Sequence, residues 1–366
     1  MTKKADYLIV GAGLYGATFA RLMKQAGKNC IVIDKRPHIA GNCYTKRKSG
    51  IDVHMYGPHI FHTNNKIIWQ FVNSYAKFNR YTHKVKADYK HRLYSMPINL
   101  NTFSDLWGIT CPQIAREKIL KVQLDRPNDN LEDWCLSQIG AEMYYKLIYG
   151  YTKKQWGREP KNLPASIIKR LPIRYSFDDN YFSDDYQGIP VEGYTTMVEN
   201  MLIGIPVHLE EDYLQNQASW DKKAKRVVYT GGLDEFFDYC YDPLDWRSLS
   251  FEHKAYAVED YQGMAQINFT HPDIPHTRKI EHKHFNNTQT KHTIITTETP
   301  QQWSIGKERY YPVNDEQNNA KAAAYKKLIN KSKYVFGGRL ATYRYFDMHQ
   351  VIGSAMKRAI NEFRSE

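Results

Sequence analysis

The sequence predicts a mixed α/β fold, and three stretches of it carry the prediction. Residues 6–44 read as strand, glycine-rich turn, helix and strand. Helical patterns dominate from Thr102 to about Lys169. Short β-rich segments recur from Leu249 to Thr297. Together they indicate a Rossmann-like dinucleotide-binding domain, an inserted helical bundle and an antiparallel-sheet substrate domain.

The first element is the apolar run Tyr7-Leu8-Ile9-Val10, which reads as a buried strand. Gly11-Ala12-Gly13-Leu14-Tyr15-Gly16 follows at once. Apolar residues then recur at helical spacing to Ala26, and Gly27 suits a helix stop. Cys30-Ile31-Val32-Ile33 forms a second strand ending on Asp34. Each residue type has a task in holding a dinucleotide. Gly11 permits the tight turn, Gly13 lets the backbone approach a pyrophosphate, and Gly16 lets helix and strand pack closely. The helix N-terminus offers N–H groups to phosphate, and Asp34 can accept from a ribose hydroxyl. The motif alone leaves NAD and FAD both open. Lys35-Arg36-Pro37-His38-Ile39-Ala40-Gly41-Asn42 resembles the E-K-R-x-x-x-G-G segment of flavoproteins related to amine oxidases, which favours FAD. Ala40 stands where that segment has its first glycine.

Ile51 to Met55 reads as a short strand, and Tyr56 to Thr63 as a loop with two histidines. A helix is expected from about Asn65 to Ala76, then a hairpin of Lys84–Tyr89 and Arg92–Met96. The helical block holds Gln113–Val122, Leu131–Ile139 and Ala141–Tyr149. Gly193 opens a helix to about Leu202, and Val207–Leu209 and Arg226–Tyr229 read as strands. Met264–Phe269, Lys279–His284 and His292–Thr297 suggest the antiparallel sheet. A helix from about Gln317 to Asn330, the strand Tyr334–Phe336, a double glycine and a last helix after Phe346-Asp347-Met348-His349 would return the chain to the cofactor. The expected domains are 1–82 with about 187–245 and 331–366 for FAD, about 102–168 for the helices, and about 83–101 with 169–186 and 246–330 for the sheet.

The 366 residues suffice for two or three domains with real cores. No apolar stretch approaches the ~18 residues of a membrane span, and the chain enters a strand directly after Lys3-Lys4. Five scattered cysteines without metal-site spacing fit free thiols and a cytoplasmic setting. The net charge of +12 points to an anionic partner. Because the basic residues are dispersed, a phosphorylated small molecule is expected rather than nucleic acid. The 28 tyrosines offer stacking surfaces with polar tips.

Several further segments together resemble one family, the bacterial UDP-galactopyranose mutases, over nearly the whole chain. They are Tyr56-Gly57-Pro58-His59-Ile60-Phe61-His62-Thr63, Gly150-Tyr151-Thr152-Lys153-Lys154-Gln155-Trp156-Gly157, Ile168-Lys169-Arg170-Leu171-Pro172, Asn180-Tyr181-Phe182, Tyr186-Gln187-Gly188-Ile189-Pro190, Tyr310-Tyr311-Pro312-Val313-Asn314 and Gly337-Gly338-Arg339-Leu340. The resemblance implies a homodimeric FAD enzyme that isomerises UDP-galactopyranose to UDP-galactofuranose for cell-surface polysaccharide synthesis. Its reduced flavin would act as a nucleophile through N5, without net redox.

On the substrate side the resemblance implies Arg170 and Arg278 as the catalytic, diphosphate-binding arginines. Tyr181, Tyr311 and Tyr345 would bond the phosphates, with Tyr345 chosen over Tyr343. Tyr151, Thr152 and the loop residue Trp156 would hold the uridine, and Asn268 would touch the substrate. On the cofactor side it implies His59 and Ile60 beside the flavin ring, and Tyr15, Asp34, Lys35 and Asn42 along the dinucleotide. Asp212 and Tyr213 would lie near the adenosine. Arg339 and the segment Phe346, Asp347, Met348, His349, Gln350 and Val351 would face the ring and pyrophosphate. No metal is expected.

His83 stands where related mutases commonly carry an asparagine near the uridine, and Phe346 where a second tyrosine is common. A sister specificity, for UDP-N-acetylgalactosamine or dTDP-fucose, is the alternative. A flavin oxidase would instead need an apolar substrate cage.

Overall fold

The computed structural model describes residues 4–169 and 171–364, which group into two compact units. The first comprises 1–81, 184–245 and 311–366, and the second 82–183 and 246–310.

The first unit is built on a parallel sheet. Its strands lie in the order Tyr334–Phe336, Ala224–Tyr229, Ala5–Val10, Cys30–Ile33, Val207–His208. Every neighbouring pair is parallel. The apolar runs are the inner strands, since a parallel sheet is covered on both faces. The helix Leu14–Gln25 makes the first crossover, and the final helix Met348–Arg364 packs on it. Glu362 anchors that final helix. Its buried carboxylate takes hydrogen bonds from Tyr7 and Arg358 and pairs with Arg226. The expected strand at Ile51 is paired with Thr45–Lys48.

Residues 311–330 fall in this unit, whereas the sequence grouped them with the sheet. The cause is polar. Asn318 on the helix Glu316–Lys327 bonds Asp245, Lys321 bonds the Pro243 carbonyl at 2.7 Å, and Tyr325 bonds the Asp242 carbonyl at 2.9 Å.

In the second unit the strands run in the order Trp246–Tyr256, Thr293–Gln302, Arg278–Glu281, Gln266–Phe269, Val85–Tyr89, Arg92–Met96. All pairs are antiparallel except Ile267–Phe269 against Lys86–Asp88. The helices Leu100–Trp107, Pro112–Val122 and Leu131–Met143 share one core with the hairpin. There Phe103, Leu131, Ile139 and Met143 pack among Val85, Ala87 and Tyr94. Gly140, at φ 71°, breaks the third helix where the sequence divided it, and its Cβ position is closed by the Val122 carbonyl at 2.4 Å.

A π-helical turn, Tyr144–Tyr149, leads into the helix Gly150–Trp156, which Gly157 ends in the left-handed region. Trp156 is therefore the last residue of a helix and not a loop residue. No helix among the described residues is long and apolar enough to cross a membrane.

Candidate functional site

In the first unit the glycine-rich turn closes on itself. Gly11 has φ 109°, and a Cβ there would lie 2.0 Å from Thr230 Oγ1. A Cβ on Gly16 would lie 1.9 Å from the Gly11 carbonyl. Gly13 precedes the helix Leu14–Gln25, and no side chain caps it. That helix N-terminus thus offers backbone donors to an anion. Gly41 approaches Gly13 so closely that its own Cβ would sit 3.1 Å from the Gly13 Cα.

Asp34 accepts from the Ala12 N–H at 2.8 Å and the Arg36 N–H at 2.9 Å. The acid braces the turn, which leaves the remaining lone pairs of the same oxygens for a ribose hydroxyl. Lys35 lies 3.8 Å from Glu235, and Asn42 accepts two bonds at 3.0 Å from Arg36. Ala40 occupies the left-handed region at φ 70°, a conformation that glycine adopts without steric cost. Tyr15 is buried against Gly337, where a Cβ would meet its ring at 2.0 Å. Tyr213 is buried and donates to Asp221 at 2.6 Å, and Asp212 accepts from the Leu214 N–H.

His59 and Ile60 follow the hairpin. The His59 N–H donates to His54 Nδ1 at 3.1 Å, and its ring bonds the Gly57 carbonyl at 2.8 Å; Ile60 is buried. Asp347 precedes the final helix, and its N–H donates to Gln350 Oε1 at 2.9 Å. Met348 contacts Cys43 sulfur to sulfur at 3.5 Å, Val351 is buried, and Phe346 is half-buried. The His349 ring meets His62 edge-on at 5.1 Å, and its Nδ1 is buried without a hydrogen-bond partner. Burial, then the neighbouring His62, lowers the His349 pKa. An uncapped helix N-terminus, a glycine cradle and an orphaned imidazole nitrogen fit a bound dinucleotide with a polar ring system.

Tyr343 and Tyr345 separate clearly. The Tyr343 hydroxyl donates to the Asp245 and Val313 carbonyls at 2.7 Å, and the side chain is 2% exposed. Tyr345 is 40% exposed and stacks with Tyr311 at 6.1 Å and 17°. Arg339 lies over both rings, 5.2 Å from Tyr345 and 5.9 Å from Tyr311.

In the second unit strand register gathers the site. Asn268 pairs with Arg278, and Arg278 pairs with Glu298, so three side chains stand in one row across the sheet. Arg278 Nε donates to the Tyr151 hydroxyl at 2.9 Å and lies 3.3 Å from Glu298. Burial raises the Glu298 pKa, and Arg278 opposes that rise. Asn268 accepts from Gln266 at 2.8 Å. Thr152 is buried, and Trp156 is half-buried against the helical core. His83 is buried, edge-on to Tyr181 at 5.4 Å and stacked on Phe182 at 5.8 Å. Its carbonyl accepts from the Tyr181 N–H at 2.8 Å. Arg170 lies outside the described residues.

The sequence reading passed over Arg247 and Lys154. The buried Arg247 guanidinium donates to the Gln155 carbonyl at 2.9 Å and the Lys154 carbonyl at 3.1 Å, satisfying the last turn of the Tyr151 helix. Only the basic residue type could have signalled it. Asp260, Glu281 and His284 cluster in the same unit. Burial raises the Glu281 carboxyl, but His284, Thr293 and two backbone N–H groups overcome it and bring the pKa to about 2. The carboxylates raise His284 in turn, and the cluster braces the 260–263 turn, whose backbone N–H groups donate to Glu281 and Asp260.

The UDP-galactopyranose mutase family model matches residues 146–345, and an NAD(P)-binding Rossmann-like domain model matches residues 9–75. The chain is 40% identical over 370 residues to a probable UDP-galactopyranose mutase of Klebsiella pneumoniae, covering 98% of this chain and 95% of that one. It is 39% identical over 364 residues to a dTDP-fucopyranose mutase of Escherichia coli, covering 96% and 97%. A crystal structure of reduced UDP-galactopyranose mutase superposes with a TM-score of 0.79 at 12% identity, over 100% of this chain and 95% of that one, a likeness of fold.

Proposed function

The chain belongs to the UDP-galactopyranose mutase family, and from that premise we propose that it converts UDP-galactopyranose into UDP-galactofuranose. It is an isomerase, and a flavin is its cofactor. The flavin dinucleotide would lie on the Gly11–Gly16 turn, with Asp34 and Asn42 along it and the His59 and His349 segments at its ring. Reduced flavin supplies an electron-rich N5 for exchange at the anomeric carbon.

The observation that carries the substrate reading is the row Asn268, Arg278, Glu298 with Tyr151 closing on Arg278. A departing nucleoside diphosphate gains charge, and a guanidinium whose Nε is fixed in place meets that charge with little reorganisation. Arg170 is proposed as the second arginine. Tyr181, Tyr311 and Tyr345 are proposed to donate phenolic O–H groups to phosphate. Trp156, Tyr151 and Thr152 would hold the uridine, so that UDP stays close enough to return to the opened sugar. Asp212 and Tyr213 are proposed for the adenosine end, and Lys35, Arg339, Phe346 and Val351 for the remaining cofactor contacts. We further propose a cytoplasmic homodimer that serves cell-surface polysaccharide synthesis.

The similarity to a dTDP-fucopyranose mutase and the histidine at position 83 favour a sister specificity as the second reading. Product analysis by HPLC decides between them. The reduced protein is incubated separately with UDP-galactose, UDP-N-acetylgalactosamine and dTDP-fucose. A furanose product from UDP-galactose is expected; formation only from another sugar nucleotide replaces the first reading.

A further inference from the structure

Lys154 has a setting that none of the roles above uses. Its Nζ donates to four backbone carbonyls, those of Phe269 (2.8 Å), His271 (2.9 Å), Ile274 (2.8 Å) and His276 (3.1 Å). An ammonium has three protons, so one of them is shared between acceptors. Phe269 ends the strand of Asn268, and the other three carbonyls belong to the connection from that strand to the strand of Arg278. Lys154 itself stands on the helix Gly150–Trp156, three residues after Tyr151 and on the same face.

The same helix approach and the same connection meet at two more points. The Thr270 hydroxyl donates to the Lys146 carbonyl at 2.6 Å. A Cβ on Gly150 would lie 2.2 Å from the Thr270 carbonyl and 2.8 Å from the Pro272 nitrogen, so only glycine permits the contact. From the other end of the helix, Arg247 holds the carbonyls of Lys154 and Gln155. The helix is thus held at its start by the Gly150 contact and at its end by Arg247, and Lys154, in the last turn, is the side chain that grips the Asn268–Arg278 connection.

Burial draws the Lys154 pKa down to about 8, while four carbonyl dipoles aimed at the ammonium favour its charged form. Carbonyls that converge on one point repel each other unless a cation or donor fills the centre. An apolar side chain of equal length would leave them unsatisfied. The connection could then relax away from the helix and carry Arg278 off the Tyr151 hydroxyl.

We propose that Lys154 is a positioning residue for Arg278: by gripping the connection between Asn268 and Arg278 it sets the Tyr151 hydroxyl against the Arg278 guanidinium and so aims that guanidinium at a nucleotide diphosphate. The proposal rests on the reading of Arg278 as a diphosphate ligand.

The test is a double-mutant cycle on the reduced, flavin-loaded protein. The dissociation constant of UDP, and kcat and KM for UDP-galactose, are measured for the wild type, Lys154→Met, Arg278→Ala and the double variant. In the wild-type background Lys154→Met is expected to weaken UDP roughly tenfold, and in the Arg278→Ala background less than about twofold, since the guanidinium it aims is gone. Amide exchange across residues 269–277 should quicken in Lys154→Met. Lys154→Arg keeps the charge, but its planar fork does not fill a four-carbonyl cage, so it should fall between wild type and Lys154→Met. If Lys154→Met does not fold, Lys154→Arg carries the same cycle.

Equal losses in both backgrounds would make Lys154 merely structural and overturn the proposal. So would wild-type UDP affinity in Lys154→Met. A wild type that binds UDP and turns over UDP-galactose while the variant matches it overturns this inference alone; a wild type that binds neither UDP nor dTDP overturns it together with the substrate reading.

Discussion

Arg278 Nε donates to the Tyr151 hydroxyl at 2.9 Å while lying 3.3 Å from Glu298, so its guanidinium is held from two sides before any ligand arrives. Removing the guanidinium by Arg278→Ala should nearly abolish turnover and leave the protein folded and yellow, since Arg278 lies in the unit without the glycine cradle. Tyr151→Phe should keep the charge and lose one brace. A hydrogen bond to a charged group is worth about 1.5–3 kcal/mol, and ~1.4 kcal/mol is tenfold in rate, so kcat/KM should fall roughly ten- to a hundredfold. Steady-state kinetics check both, and wild-type turnover in Arg278→Ala would remove that arginine from the site.

Trp156 ends its helix half-buried against the helical core, and it is also proposed to stack on uracil. Trp156→Ala separates the roles. Stacking on an aromatic side chain contributes about 1–3 kcal/mol per base, so UDP itself should bind roughly five- to a hundredfold more weakly. Calorimetry of UDP binding measures this, with the melting temperature recorded alongside. A lower melting temperature with unchanged UDP affinity would leave Trp156 as a packing residue only.

The parts legible in the sequence are those written locally. The apolar runs at Tyr7 and Cys30 became inner strands, and the glycine spacing became the cradle, because short-range sterics decide both. Other features depend on distant partners. The strand Trp246–Tyr256 went unread because Glu252, His253 and Lys254 interrupt its apolar pattern; pairing along Thr293–Gln302 holds it extended. The helix Gly150–Trp156 lay inside the stretch read as helical but was not delimited, since Lys153, Lys154 and Gln155 give it no continuous apolar stripe, and its last turn is secured by Arg247 and, through Lys154, by the 269–276 carbonyls. Family resemblance named Asn268 and Arg278 one by one. That they are cross-strand partners follows from hairpin register, which a long connection does not encode locally.

His54 predicts the response to acid. Burial, then the nearby His59, lowers its pKa to about 3, against ~6.5 for an unfolded histidine. The folded state therefore keeps the ring neutral, with Nδ1 accepting from the His59 N–H and Tyr194 edge-on at 5.7 Å. Between these two values the unfolded chain binds the extra proton. The contribution to stability is present above about pH 6.5 and is lost progressively as the pH falls towards 3. Melting temperatures followed by flavin fluorescence should drop across that window. His54→Gln should be less stable at pH 7 but show a shallower slope; an unchanged slope would remove His54 from the acid response.

The final prediction concerns the redox state in which the protein works. Isomerisation leaves the oxidation level of the sugar unchanged, yet the cofactor is a flavin, for which the glycine turn of the first unit is the proposed cradle. The arginine and tyrosine residues proposed for the substrate suit a sugar diphosphate. A flavin cofactor that serves such a substrate is useful as a nucleophile, and only its reduced form is electron-rich at N5. Turnover should require reduction, proceed without net flavin oxidation, and vanish on reconstitution with 5-deaza-FAD, which lacks the nitrogen, while that analogue still occupies the cradle. The measurement is furanose product per flavin under anaerobic conditions with the absorbance spectrum followed throughout. Full activity with oxidised flavin in the absence of any reductant would overturn the nucleophilic role, as would turnover with the deaza analogue.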